Sequence, residues 1–179
     1  EFNMIKNDLT VPTFEMLFDL AEIQEIQDSF AMATGVASII TDPQGRPIIR
    51  PSNFCRLCKD IIRKSEKGRL NCNQSDAVIG RYHPDGPIIQ TCLSGGLWDA
   101  GASISVAGKH IANWLVGQVR NEKTNVKKIL DFIQSIGVDT GSSSEFVLND
   151  SIEYLLGEAD YRQEVENAIK FRRSLKGID

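Results

Sequence analysis

The sequence holds no run of about eighteen apolar residues, the length a membrane-spanning helix needs. Its start also lacks the basic residues, apolar stretch and small-residue cleavage site of a secretory signal, so a cytoplasmic chain without membrane contact is expected. Positive charge is in short supply as well. Twenty Lys and Arg stand against 24 Asp and Glu, a net charge of −4 over 179 residues, so no global positive field draws this domain onto nucleic acid. No glycine-rich phosphate loop follows a strand and opens a helix, so neither ATP nor NAD is implied. Histidines number two, His83 and His110, and neither is placed beside a cysteine. With no paired carboxylates, Ser-His-Asp set or His-rich box either, the pattern points away from an enzyme.

What is present suits one compact domain. Hydrophobic residues make up 41% and charged residues 25%, ordinary globular values that allow a real core. Glu1, Phe2 and Asn3 precede Met4 and read as expression-derived residues, so residues 1–12 are taken as a lead-in. Residues 13–150 form the expected domain, and residues 151–179 a connector to a downstream output module.

Between Phe14 and Ala33 apolar residues recur three or four apart, predicting an amphipathic helix capped by Thr13 and stopped by Gly35. Val36 to Arg50 reads as a hairpin around Asp42, Pro43 and Gly45. The middle third, Pro51 to Gly86, carries three of the four cysteines and five Lys or Arg residues between Lys59 and Arg69. It is expected to be helical and incompletely packed by apolar contacts alone, with the basic run as a solvated face. Pro87–Leu93, Ala102–Ala107 and Lys109–Val119 read as strands of an antiparallel sheet. Glu122 to Ile136 is a second amphipathic helix ended by Gly137, and the Gly137–Ser144 stretch a loop. Tyr154 to Leu175 is a charged exit helix. The expected fold class is therefore α+β, an antiparallel sheet flanked by helices with a cysteine-bearing helical insertion. A homodimer through the outer helices is compatible with the pattern, although neither charged helix shows clean heptads.

Cys55, Cys58, Cys72 and Cys92 follow the spacing C-x2-C-x13-C-x19-C. Four soft donors can satisfy one tetrahedral ion, and Cys55 and Cys58 fall one helical turn apart on the same face. Zinc would clamp the polar segment, and an iron–sulfur cluster would use the same shell. Buried reduced thiols acting as small hydrophobes, or thiols that exchange with a disulfide, are the other readings. His83 lies in a turn sequence and His110 in an apolar strand, where a hydrogen-bonded structural histidine is the common outcome.

Ser94 to Gly101 combines three glycines with Trp98 and Asp99, a turn that lets backbone approach a ligand closely. Trp98, Asp99, Trp114 and Gln118 are the candidate ligand-binding residues, with Asp76 as a further one. The ligand they suit is small, organic and mostly apolar.

Seven ordered motifs carry a family resemblance. They are Phe14-x-x-Leu17, Gln27-Asp28-x-Phe30-Ala31-x-x-x-Gly35, Asp42-x-x-Gly45-x-Pro47, Ser52-x-Phe54-Cys55-x-x-Cys58, Cys72-x-x-Ser75-Asp76, Cys92-x-x-Gly95-Gly96-Leu97-x-Asp99 and Gly117-Gln118-Val119. Together, from about Phe14 to Ile136, they resemble the PocR sensory domain. The resemblance implies a variant PAS-like fold and a non-enzymatic input domain of prokaryotic histidine kinases (two-component systems) and transcription regulators. It also implies sensing of simple hydrocarbon derivatives such as small diols, with the C-terminal helix as a signalling helix. The alternative function is an iron–sulfur or thiol-based redox or metal sensor using the four cysteines.

Overall fold

The computed structural model describes residues 12–94, 96–120 and 125–137. The lead-in before residue 12, the start of the second amphipathic helix, the loop after Gly137 and the connector at 151–179 lie outside the described residues.

The chain begins with two helices where one continuous helix was expected, α1 (Phe14–Leu17) and α2 (Leu20–Thr34). The break has a local cause. Asp19 accepts hydrogen bonds from the backbone N–H of Ala21 at 2.8 Å and of Glu22 at 3.3 Å, starting a new helix in place of continuing the old one. Gly35, at φ +77°, ends α2 in the left-handed conformation that glycine adopts without strain. A buried polar contact docks α2. Gln27 donates from Nε2 to the Arg50 carbonyl at 2.8 Å and to Ser52 Oγ at 2.7 Å.

Strand β1 (Ala37–Thr41) leads into the Asp42–Gly45 turn, in which the Asp42 carboxylate accepts from the amides of Gln44 and Arg46. The returning segment does not make the expected hairpin strand. It touches β1 only at isolated bridges, Thr41 to Pro47 and Ser38 to Ser52, because Pro47 and Pro51 cannot donate to a ladder. Gly45 sits at φ +79°, and a Cβ there would run into the Asn73 carbonyl of the next helix.

The cysteine-bearing segment folds as a π-helical turn (Leu57–Ile61), a 3-10 turn (Ile62–Lys64) and α3 (Glu66–Gly80), with Ser65 capping α3 through the Gly68 amide. Apolar packing here exceeds the expectation. Leu57, Ile61, Ile62 and Ile79 are fully buried, and Ile129 and Ile133 of α4 (Val126–Ser135) close over Leu57, Ile61 and Ile62.

Three further strands, β2 (Ile88–Thr91), β3 (Trp98–Val106) and β4 (Lys109–Val119), complete a four-stranded antiparallel sheet in the order β1-β4-β3-β2. With helices on its flanks this is the α+β, PAS-like architecture that the sequence pattern implied. Side-chain alternation assigns the two faces. Ile39 and its partner Leu115 face α3, meeting Ile79 and Phe54, while Ile40 and its neighbours on the opposite face pack with Phe14 of α1. Where the strands lie closest to α3, bulk is excluded: a Cβ on Gly101 would stand 2.8 Å from the Ile79 carbonyl oxygen.

Ile62 is 0% exposed within the cluster that it forms with Leu57 and Ile61. Ile62→Ala should lower unfolding stability by about 2–5 kcal/mol, read as a fall in denaturant midpoint at unchanged slope. A loss under about 1 kcal/mol would mean that the cysteine segment is not part of the cooperative core.

Candidate functional site

Register, more than composition, builds the site. Trp98 pairs with Val119 and Asp99 pairs with Gly117, so β4 carries one extra residue, Gln118, as a bulge. Gln118 sits at φ +59°, uncommon for a residue with a side chain. The bulge frees its amide from the ladder, and that N–H donates to Asp99 Oδ1 at 2.7 Å. Its side chain turns toward the cysteine segment, where Oε1 accepts the Cys55 amide at 2.8 Å. Gly117 is required beside it, since any Cβ there would collide with the Asp99 carboxylate.

Opposite Asp99, α3 supplies Asp76 and the 3-10 turn supplies Arg63. Arg63 Nη2 and Asp76 Oδ2 form an ion pair at 2.8 Å with side chains only 15% and 9% exposed. The guanidinium also lies over the Phe54 ring, 5.1 Å from its centre. Arg63 Nε is buried and has no hydrogen-bond partner.

Two small cavities flank this group. The first, about 20 Å³, is lined by Cys58, Cys72, Cys92, Ser75 and Ser94 among others. The second, about 30 Å³, is lined by Ser38, Ile39, Phe54, Leu115 and Gly117 among others. Arg63, Asp76, Asp99 and Gln118 line both, so these four side chains form a shared partition.

Burial sets the protonation of the partition. It pushes the Asp76 carboxyl up to about 6, against the lowering pull of the Arg63 charge and hydrogen bond. Burial likewise raises Asp99 to about 7, opposed by the Gln118 amide and assisted by the nearby Asp76 charge. A carboxyl poised near neutrality can accept a hydrogen bond as the anion or donate one as the acid. Among the thiols, Cys55 is lowered by the hydrogen bond from the Cys58 thiol, whereas Cys58 is pushed well up by that same contact and by burial. Burial also raises Cys72, whose sulfur donates to Ser94 Oγ at 3.3 Å.

Of the residues singled out by sequence, Asp76, Asp99 and Gln118 come together at the partition. The two tryptophans do not line either cavity. Trp114 falls on the opposite face of the sheet, its Nε1 donating to Ser38 Oγ at 2.8 Å and its ring edge-on to Phe30 at 5.6 Å. One residue of strand alternation separates it from Leu115, which faces the cavity. Trp98 begins β3 beside the bulge, and its Nε1 is buried without a partner. The glycine-rich turn is shorter than expected, because Trp98 to Gly101 already belong to β3.

The four cysteines gather in one neighbourhood, with Cys58 and Cys72 in the core cluster and Cys55 and Cys92 packed against it. All four are free. Among the described residues no three His, Cys, Asp or Glu side chains approach one another as the ligands of one metal ion would. His110 makes the structural contact expected of it, Nε2 to Asn113 Oδ1 at 2.6 Å, and His83 is exposed in its turn. Arg63 is the residue sequence reasoning missed, having been grouped with the solvated Lys59, Lys64, Lys67 and Arg69. The available signal was a charge balance: a buried Asp76 on the next helix needs a cation.

The cysteine-bearing helical segment thus lies against a PAS-like sheet with two small cavities at their contact. The comparison with known families agrees: the family described as "Sensory domain found in PocR" matches residues 16–148, and the chain belongs to that family. A curated relative, "Regulatory protein PocR" of Salmonella typhimurium (strain LT2), is 29% identical over 154 residues, covering 83% of this chain and 50% of the relative. The chain thus spans about half the length of that relative. No solved structure matches it significantly. Among the described residues no helix is long and apolar enough to cross a membrane.

The raised carboxyls have a testable sign. A folded-state value above the unfolded 3.8 means that the native state holds its proton more tightly, so stability falls as pH rises from about 4 to about 7 and is flat beyond. Asp99→Asn keeps the oxygen that accepts the Gln118 amide and removes this penalty. The variant should gain on the wild type progressively over that range, to on the order of 3 kcal/mol at pH 8 in denaturant unfolding. A difference that does not change with pH would contradict the placement of Asp99.

Proposed function

We propose that this domain is a non-enzymatic sensory input that binds a small, largely apolar organic ligand and relays its presence to an output module in the same protein. The observation that carries the reading is the shared partition: Arg63, Asp76, Asp99 and Gln118 stand between two cavities, with Arg63 Nε buried and unpartnered. Cavities of about 20 and 30 Å³ each hold little more than a water molecule. Ligand entry therefore joins them, with the Arg63 side chain turning aside. The joined space would offer apolar walls from Leu97, Ile39 and Leu115, and a few polar groups suited to a hydroxyl or carbonyl oxygen.

The relay follows from the same contacts. Asp99 holds the Gln118 amide, Gln118 holds the Cys55 amide, and the cysteine segment packs on α4 toward the C-terminal side of the chain. A ligand that displaces Arg63 or rebonds Asp99 alters this chain of contacts. Only a difference in affinity between the two arrangements shifts their populations. The sensory family and its regulatory relative support the reading.

Calorimetry with a panel of short-chain diols, ketones and carboxylates tests it. At least one class should bind, and Arg63→Lys, which keeps the charge Asp76 needs but loses Nε, should weaken that binding about tenfold or more. Trp114→Phe should leave it unchanged. Equal affinity in Arg63→Lys would remove the partition from the site.

The second reading is a metal centre, zinc or an iron–sulfur cluster, and the observation favouring it is that all four thiols share one neighbourhood. Occupancy would require the sulfurs to draw together. Elemental analysis and the visible spectrum of anaerobically purified protein test it, with about one zinc per chain and no colour expected for a structural clamp.

A further inference from the structure

Among the described residues, helices cover only part of the sheet face that lies away from the cavities. Asp99 lines both cavities, so by strand alternation its neighbours Trp98 and Ala100, and Ala102 beyond them, point the other way. Ile89 of β2 stands opposite Ala100, and Trp114 of β4 opposite Ala102, on that same face. α1 covers its far end through Phe14, which packs with Ile111 and Ala112, and α2 reaches Trp114 through Phe30. The rest is bare: Ile89 is 68% exposed, and Ala102 is exposed as well. None of these side chains is charged. Ala100 and Ala102 make a shallow floor between the larger Ile89 and Trp114. α2 forms one border, because Ile26 and Glu22 precede Phe30 by four and eight residues on one flank. Ile26 is 48% exposed there.

The charge of that border has one sign. From Thr13 to Gly45 the chain has no Lys or Arg, whereas Glu15, Asp19, Glu22, Glu25 and Asp28 all fall in or between α1 and α2. Asp19 caps α2 and Asp28 is bonded to Ser52, but Glu22 and Glu25 are exposed and have no ion-pair partner among the described residues. A complementary sequence lies in the same chain. Between Val165 and Lys176 it holds Lys170, Arg172, Arg173 and Lys176 against the single acid Glu166, with Val165, Ala168, Phe171 and Leu175 three or four apart. As a helix this stretch would be about 18 Å long. The strand from Trp98 to Ile104 spans about 20 Å, so the lengths match. Residues 138–164 connect the stretch to the end of the described chain and could reach about 90 Å when extended, enough to pass round the sheet. A second copy meeting this face with its own would instead set like charges together along the border.

We propose that the bare part of the sheet, with the Glu22–Ile26–Phe30 flank of α2, is the docking surface for this chain's own segment 165–176. The apolar residues of the segment rest on Ala100 and Ala102, and its basic residues meet Glu22 and Glu25.

The test couples carboxylates to amines with a zero-length carbodiimide in the full chain, using an equal mixture of 14N- and 15N-labelled protein, and maps the joined peptides by mass. The expected product joins Glu22 or Glu25 to Lys170 or Lys176, in pairs of a single isotope. Pairs of mixed isotope would give the face to a second copy, and absence of the link would leave it to another partner; either result overturns the proposal. Ala102→Glu, at an exposed position outside the core, puts a charge where the apolar residues of the segment rest and should cut the linked fraction about tenfold. An unchanged fraction in that folded variant would remove the segment from the sheet and overturn the proposal too. Should the variant fail to fold, the wild-type link alone decides. No ligand enters the assay, so its outcome leaves the sensory reading untouched.

Discussion

The Arg63–Asp76 ion pair is the contact on which the interior of this domain depends. It ties the 3-10 turn to α3 across the space between helix and sheet, in surroundings where neither charge has much water. A buried pair of this kind is not a strong source of net stability, because desolvation offsets much of the attraction. Removing one partner is another matter, since the remaining charge would be left uncompensated at a cost of about 3–5 kcal/mol. The pair is better understood as fixing geometry. It holds the guanidinium on Phe54 and between two voids, beside Asp99, whose carboxyl burial raises to about 7.

The sheet supplies the other half of this arrangement through one irregularity. A regular β4 would pair Gln118 with Asp99 and satisfy its amide within the ladder. The bulge removes it from that register, so that a carboxylate on β3 and an amide on the cysteine segment both depend on one glutamine. Strain at φ +59° is the cost of placing one residue in contact with both. Bulges beside functional cavities commonly serve to re-aim a side chain in this way. Here the consequence is mechanical continuity from the cavity to the segment that packs on α4.

Much of this was legible in the chain because it is local. Gly35 as a helix stop, the Asp42–Gly45 turn and the three later strands follow from turn chemistry and alternation, which act over a few residues. Asp99 and Gln118 stand out in the chain as polar side chains in glycine-rich or apolar runs, and Asp76 through the Cys72-x-x-Ser75-Asp76 motif; the structure brings the three side by side. Two things were not legible. The burial of Arg63 depends on α3 folding back against it, so its sequence neighbours Lys59, Lys64 and Lys67, all exposed, gave it the same appearance. The role of Trp114 turned on a parity of one residue along β4, and the sequence does not reveal which face of a doubly covered sheet lies toward the cavity. The hairpin expected after β1 failed because Pro47 and Pro51 interrupt the returning segment on the free edge of β1, leaving only isolated bridges there.

The central claim is that ligand acts on the partition between the two cavities. The most direct measurement is to follow the carboxyl carbon resonances of Asp76 and Asp99 and the indole resonance of Trp114 by NMR while a binding member of the small-molecule panel is titrated in. The account predicts that both carboxyl signals move to saturation with the ligand while the Trp114 indole stays in place. Saturable movement at Trp114 with both carboxyls unmoved would place the ligand on the other face of the sheet and contradict it.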